Sequence, residues 1–173
     1  MIKIPEKEGR LSAAKAAHIE AVIAFVKRKT EGYRRDLFAN ISRVMLVSGT
    51  FEDMSARDDW SWLSDFILAD VKTLKQMIGR PELLQFNEFK RMYSDYFSAG
   101  SDKYVDASTK YNAYMFIENL GVTICPYCDE EYLDVVENGN GGKLRTLEID
   151  HFFPKGKYPA LAMCFYNLVP SGQ

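Results

Sequence analysis

The last third of the chain joins two short β-prone runs through a glycine-rich segment, and this pattern constrains the fold more than any other. One run lies at 132–136, and a second, with alternating apolar residues, lies at 144–149. Between them, 138–142 reads NGNGG and supplies residues that readily adopt positive φ. The pattern predicts two antiparallel strands, the second of which ends at Asp150 and His151.

Asp150 and His151 place an acid and an imidazole side by side at the predicted strand end, next to a chain reversal at Pro154. A carboxylate is a hard oxygen ligand for Mg²⁺, and an imidazole that titrates near neutrality can take a proton from water. Downstream, Asn167 carries an amide that can hold the loop or the imidazole in place. These residue types favour a metal-assisted hydrolase.

Three strings in this third of the chain carry a family resemblance. They are CPYC at 125–128, LEIDHFFPKGKYP at 147–159 and FYNLVPS at 165–171. Together they resemble the HNH endonucleases, a branch of the ββα-metal nucleases that carries a zinc-binding C-x-x-C motif. The resemblance covers 121–173 and implies nothing about the residues before it.

The resemblance implies a role for each motif residue. His151 would be the general base, Asp150 would bind a catalytic Mg²⁺ or Mn²⁺, and Asn167 would be the central asparagine of the catalytic loop. Cys125 and Cys128 would form half of a structural Zn²⁺ site. The implied activity is hydrolysis of phosphodiester bonds in nucleic acid, chiefly DNA. Similar proteins often act as bacterial antiviral defence effectors, sometimes beside an ATPase, so DNA and an ATPase are the expected partners.

The chain departs from the family pattern after the last string. Family members usually continue into a second cysteine pair and a helix that supplies another metal ligand, whereas Gly172 stands about where a further cysteine is often found and the sequence ends at Gln173. A tetrahedral zinc site normally needs four protein ligands. We therefore expect an incomplete HNH-like module. A fragment of a longer nuclease is the favoured explanation, ahead of lost catalysis or a group supplied from outside.

Two motifs also have other interpretations. CPYC is the active-site string of glutaredoxin-like proteins, in which a helix follows the first cysteine, but 129–147 is predicted to form a hairpin. Cys164 is expected to pack as a small apolar residue rather than to act as a third zinc ligand. If the nuclease fold survives only as a scaffold, the chain is instead a non-catalytic interaction module.

Composition limits the class of protein. The chain has 173 residues, of which 47% are hydrophobic and 13% aromatic, so it can bury a sizeable core. It contains no apolar run long enough to span a bilayer, and its first residues lack the apolar segment of a secretory signal. Three cysteines, two of them in one C-x-x-C, suit a reducing compartment with a metal site. A cytoplasmic protein is expected.

Charge is less favourable to nucleic-acid binding, because the formal net charge is -2. Basic residues nevertheless flank the predicted Asp-His pair. Arg145, Lys155 and Lys157 are the candidates for phosphate contacts. A second basic cluster at 27–35 is interpreted as a solvated helix end.

Residues 10–120 are predicted to be almost entirely helical, so the expected fold is mainly α, with a helical domain at 1–120 and a small β-hairpin HNH-like module at 121–173. His18 is interpreted as structural, and the aromatic residues of the helices are interpreted as core rather than as base-stacking groups. The predicted helices run from a cap at Ser12 to about Lys29, along 37–45, along 63–78, from Pro81 to about Tyr96, and from about Asp106 to Asn119 with Gly121 as the C-cap.

Overall fold

The computed structural model describes residues 9–47, 59–129, 135–137, 139–140, 143–145 and 147–172, and in these ranges the chain is mainly helical, as predicted. The helices are α1 (Arg10–Lys27), α2 (Glu31–Val47), α3 (Ser61–Ile67), α4 (Val71–Met77), α5 (Glu88–Met92) and α6 (Ala113–Leu120). A π-helical turn, Tyr93–Phe97, follows α5, and 3₁₀ turns lie at Pro81–Leu84, Pro159–Leu161 and Phe165–Asn167. The strands are β1 (Val135–Glu137), β2 (Lys143–Arg145), β3 (Leu147–His151) and β4 (Leu168–Gly172).

Side-chain capping explains where the helices differ from the predicted ones. The apolar stripe at 63–78 is divided between α3 and α4, because the Asp70 carboxylate accepts the Thr73 N–H (2.8 Å) and starts a new helix. In α6, the Asn112 side chain is the N-cap, so the predicted start near Asp106 was too early. Its predicted end is confirmed, since Gly121 has φ 62°.

The first helix also begins earlier than predicted. Gly9 is the N-cap of α1, and Ser12 lies within the helix rather than capping it. Pro81 opens a 3₁₀ turn, and the α-helix after it starts only at Glu88. None of the helices in the described ranges has both the length and the apolar character needed to cross a bilayer.

The predicted hairpin is confirmed for its inner part, since β1 pairs antiparallel with β2. The rest of the predicted second strand differs: β3 pairs antiparallel with β4, so that Asp150 lies opposite Val169 and His151 opposite Leu168. The predicted second strand is thus shared between two sheets, and its end at Asp150 and His151 pairs with a strand that the sequence did not predict. The prediction that it ends at His151 is confirmed.

One hydrophobic cluster contains side chains from the helices and from the C-terminal segment. Phe66, Phe89 and Phe116 are buried in it together with Leu161 and Phe165. The predicted core role of the helical aromatics is confirmed for six of them, which are buried: Trp62, Phe89, Tyr93, Phe97, Tyr111 and Phe116. The residues before and after position 120 therefore share a core, and the domain boundary there stays a prediction.

Candidate active site

β3 alternates between solvent and core along its length. Glu148 and Asp150 are exposed, whereas Ile149 and His151 are buried, as expected for side chains that leave opposite faces of a strand. The acid and the imidazole are therefore adjacent in sequence, but the carboxylate faces solvent while only 8% of His151 is exposed. This corrects the expectation that the two groups lie side by side.

The His151 ring has one defined tautomer. Its Nε2 lies 3.1 Å from the carbonyl oxygen of Ala162. Because a carbonyl can only accept, Nε2 carries the proton and Nδ1 keeps the lone pair of the neutral ring. No hydrogen bond joins Nδ1 to any residue that the structure describes. Burial lowers the pKa of His151 to about 4, against the opposing effect of the Ala162 hydrogen bond, so the ring is neutral at pH 7.

Two hydrogen bonds hold the Asp150 carboxylate. Oδ1 accepts the backbone N–H of His151 (2.7 Å), and Oδ2 accepts the hydroxyl of Tyr127 (3.1 Å). Burial, and then the charge of Asp150, raises the pKa of Tyr127 to about 12, so this hydroxyl stays a donor. Tyr127 was not identified as a site residue from the sequence, although it lies inside the C-x-x-C motif at 125–128.

Asn167 is fully buried and bonds only to backbone groups in the contacts described for it. Its Oδ1 accepts the Phe153 N–H (2.6 Å), and its Nδ2 donates to the carbonyls of Phe153 (3.1 Å) and Leu161 (3.0 Å). The amide therefore ties together two parts of the connection from β3 to β4. It holds this loop in place, and its part in catalysis stays a prediction.

The Cys125 thiol is surrounded by backbone donors. The Gly172 N–H lies 3.4 Å from Sγ, and this bond, with others from the N–H groups of Tyr127 and Cys128, lowers the pKa of Cys125 despite its burial. Donors of this kind stabilise a thiolate, which is the form that binds zinc. Position 172, where the resemblance places a further cysteine, thus lies directly beside Cys125. Cys128 is exposed.

Cys164 belongs to the core, as predicted. It is fully buried, and its S–H donates to the carbonyl of Phe66 across 3.5 Å. Burial raises its pKa, which opposes formation of the thiolate. Cys164 is therefore not suited to be a zinc ligand.

The donor sets fit the two expected metals to different degrees. Within the described part of the chain, no three His, Cys, Asp or Glu side chains are grouped in a way that could hold an ion. Mg²⁺ keeps several waters and takes one or two carboxylates plus substrate phosphates. A single exposed carboxylate, such as that of Asp150, is therefore compatible with a Mg²⁺ site. Zinc needs four ligands, and Cys125 and Cys128 would account for two of them.

The turn after β3 brings one predicted basic residue close to His151. Nζ of Lys155 lies 4.5 Å from the ring centroid of Tyr93, and the charge of Lys155 contributes to the lowered pKa of His151. Lys157 is exposed, and its ammonium lies 5.3 Å from the ring of Tyr158. The side chain of Arg145 lies outside the described atoms, so its role stays a prediction.

Comparisons of the chain with models of protein families, with curated proteins and with solved structures found no match. The resemblance to HNH endonucleases therefore depends on the motifs at 125–128, 147–159 and 165–171 and stays a prediction.

Proposed function

We propose that the chain is an HNH-type metal-dependent endonuclease that hydrolyses phosphodiester bonds in nucleic acid, chiefly DNA. The observation that carries this proposal is the state of His151. Its Nε2–H is held by the Ala162 carbonyl, so the neutral ring offers Nδ1 as a base at the end of β3, next in sequence to an exposed carboxylate.

In the proposed reaction, Nδ1 of His151 takes a proton from a water molecule while the water oxygen attacks the phosphorus. The bond from the phosphorus to one sugar oxygen breaks, and the leaving oxygen takes a proton from solvent. The ring then carries a positive charge, which the Ala162 carbonyl stabilises through Nε2–H. Asp150 would hold a divalent ion such as Mg²⁺ or Mn²⁺, which when bound stabilises the negative charge that develops on the phosphate. The Tyr127 hydroxyl, which donates to Oδ2, would orient the Asp150 carboxylate for this.

Lys155 and Lys157 would contact the phosphates of the substrate on either side of the cleaved bond, since both project from the turn that follows His151. Cys125 and Cys128 would contribute two ligands to a structural zinc ion. The ATPase partner, the cytoplasmic location and the role in antiviral defence are supported by the sequence alone and stay predictions.

Plasmid cleavage in the presence of Mg²⁺ or Mn²⁺ tests the proposal. We expect cleavage to fall about 100-fold or more in His151→Ala, because general base catalysis contributes on that scale. Asp150→Asn should also abolish cleavage, because it weakens the ligand for the ion. Asp102→Asn is the matched control, since Asp102 is an exposed acid in the loop before α6. Equal cleavage by the wild type and His151→Ala would refute the role of His151.

A further inference from the structure

Tyr93, the first residue of the π-helical turn after α5, contacts the proposed catalytic strand from the helical part of the chain. Its hydroxyl donates to the carbonyl of Ile149 (3.0 Å), two residues before His151. Its ring lies against the imidazole of His151, with centroids 4.6 Å apart and planes inclined by 68°. Only 5% of Tyr93 is exposed, so both contacts are made inside the protein.

The β3–β4 register explains why the Ile149 carbonyl can accept this hydrogen bond. The Phe152 N–H donates to the Asn167 carbonyl (3.0 Å), and hydrogen-bonded and non-hydrogen-bonded pairs alternate along an antiparallel ladder. Ile149 and Pro170 therefore form a non-hydrogen-bonded pair, whose backbone groups point away from the partner strand. Pro170, which has no backbone N–H, therefore breaks no hydrogen bond of the ladder at this position. The Ile149 carbonyl instead accepts from the Tyr93 hydroxyl.

The π-helical turn begins at Tyr93. The Ser98 N–H donates to the Tyr93 carbonyl (2.8 Å), a bond across five residues that widens the turn and changes the direction in which the side chains project. The same Tyr93 ring lies beneath the Lys155 ammonium at 4.5 Å. One side chain thus contacts the proposed base, the strand that carries it and a proposed phosphate ligand.

We propose that Tyr93 is a positioning residue, through which the helical region fixes the orientation of the His151 imidazole and the place of Lys155 beside it. The proposal rests on the proposed role of His151 as general base. It gives the helical region a direct part in building the active site.

Substitution at Tyr93 is expected to change kcat rather than KM. Tyr93→Met keeps an apolar side chain in the core but removes the ring and the hydroxyl, so kcat should fall about 10- to 100-fold with KM nearly unchanged. Tyr93→Phe keeps the ring against His151 and loses only the bond to Ile149, and its kcat should fall about fivefold. Phe89→Met is the matched control, because Phe89 is a buried aromatic of α5 whose ring contacts are with Phe66 and Phe86.

Nitrogen NMR of the imidazoles provides a readout that is independent of cleavage. The chain has 2 histidines, so His151→Ala assigns both sets of signals. The wild type and Phe89→Met should show the Nε2–H tautomer of His151. In Tyr93→Met the ring should turn away from the Ala162 carbonyl, which holds Nε2–H, so averaged tautomers are expected. Wild-type kcat and wild-type His151 nitrogen shifts in Tyr93→Met would overturn the proposal. If that variant does not fold, an unchanged kcat in Tyr93→Phe would overturn it.

The two proposals fail in different ways. A wild-type protein that does not cleave would refute the proposed function, while the nitrogen shifts would still decide whether Tyr93 orients the ring of His151.

Discussion

His18 of α1 hydrogen-bonds through Nε2 to the backbone carbonyl of Met163 (2.8 Å) and thereby joins the first helix to the C-terminal segment. Because the carbonyl only accepts, Nε2 carries the proton, and Nδ1 accepts from the Tyr111 hydroxyl (3.0 Å). His18 is fully buried, which confirms its predicted structural role. Burial lowers its pKa from 6.5 to about 4.

The free energy of unfolding should therefore depend on pH through His18. In the unfolded chain His18 binds a proton near pH 6.5, whereas in the folded chain it binds one only near pH 4. The free energy of unfolding therefore falls as the pH falls from 6.5 to about 4. The loss attributable to His18 should approach about 3 kcal/mol. Urea unfolding of the wild type and His18→Gln at a series of pH values measures it.

The difference in the free energy of unfolding between the wild type and His18→Gln reports on His18 alone, because His151 is present in both proteins. The wild type should be the more stable near neutral pH, and its advantage should shrink towards pH 4. A stability difference that stays constant with pH would contradict the assignment.

Gly121 should not tolerate a side chain. Its φ is 62°, and an added Cβ would overlap the guanidinium of Arg10, which caps the end of α6 by donating to the carbonyls of Glu118 (2.9 Å) and Asn119 (3.1 Å). Gly121→Ala should lower the free energy of unfolding by about 1–3 kcal/mol, from backbone strain and displacement of Arg10. Urea unfolding measures this loss.

Gly32 provides the matched control. It lies in the first turn of α2, and an added Cβ would meet no atom within 4 Å. Gly32→Ala should be neutral or stabilise the protein by up to about 1 kcal/mol, since alanine is the better helix former. Equal effects of the two substitutions would show that neither the positive φ nor Arg10 limits position 121.

Local patterns in the sequence predicted the features that depend on neighbouring residues. The end of β3 at His151 follows from alternation, and the end of α6 follows from Gly121. The late start of α6 also has a local cause that was overlooked, because the Asp106 carboxylate accepts from Ser108 and Thr109 and holds a turn in place of a helix.

Contacts between distant residues could not be predicted in this way. Pairing of β3 with β4 depends on a long connection, and alternation within a strand does not identify its partner. Tyr93 was correctly placed in the core by its spacing, but spacing does not show which of the core residues it contacts. Its bond to Ile149 joins residues 56 positions apart.

Asn167 should be essential for stability as well as for cleavage. Asn167→Ala would leave one buried N–H and two buried carbonyls without their side-chain partner. The free energy of unfolding should fall by about 3 kcal/mol or more, because unpaired buried polar groups are costly. Asn87→Ala is the control. The exposed side chain of Asn87 makes one hydrogen bond in the described contacts, across 3.4 Å to the Gln85 carbonyl, so its loss should cost under about 0.5 kcal/mol. Similar losses in both variants, measured by urea unfolding, would contradict this role of Asn167.

Zinc binding should depend on Cys125 and Cys128 but not on Cys164. The backbone donors around Cys125 lower its pKa and stabilise the thiolate that zinc requires, whereas burial of Cys164 raises its pKa. Elemental analysis of the purified protein should find zinc in the wild type and in Cys164→Ala, and should find it lost from Cys125→Ser and Cys128→Ser. Because no three possible metal ligands are grouped in the described part of the chain, partial occupancy that rises with added Zn²⁺ is expected for the wild type. Zinc content that is the same in all four proteins, or absent from the wild type even in excess Zn²⁺, would refute the site.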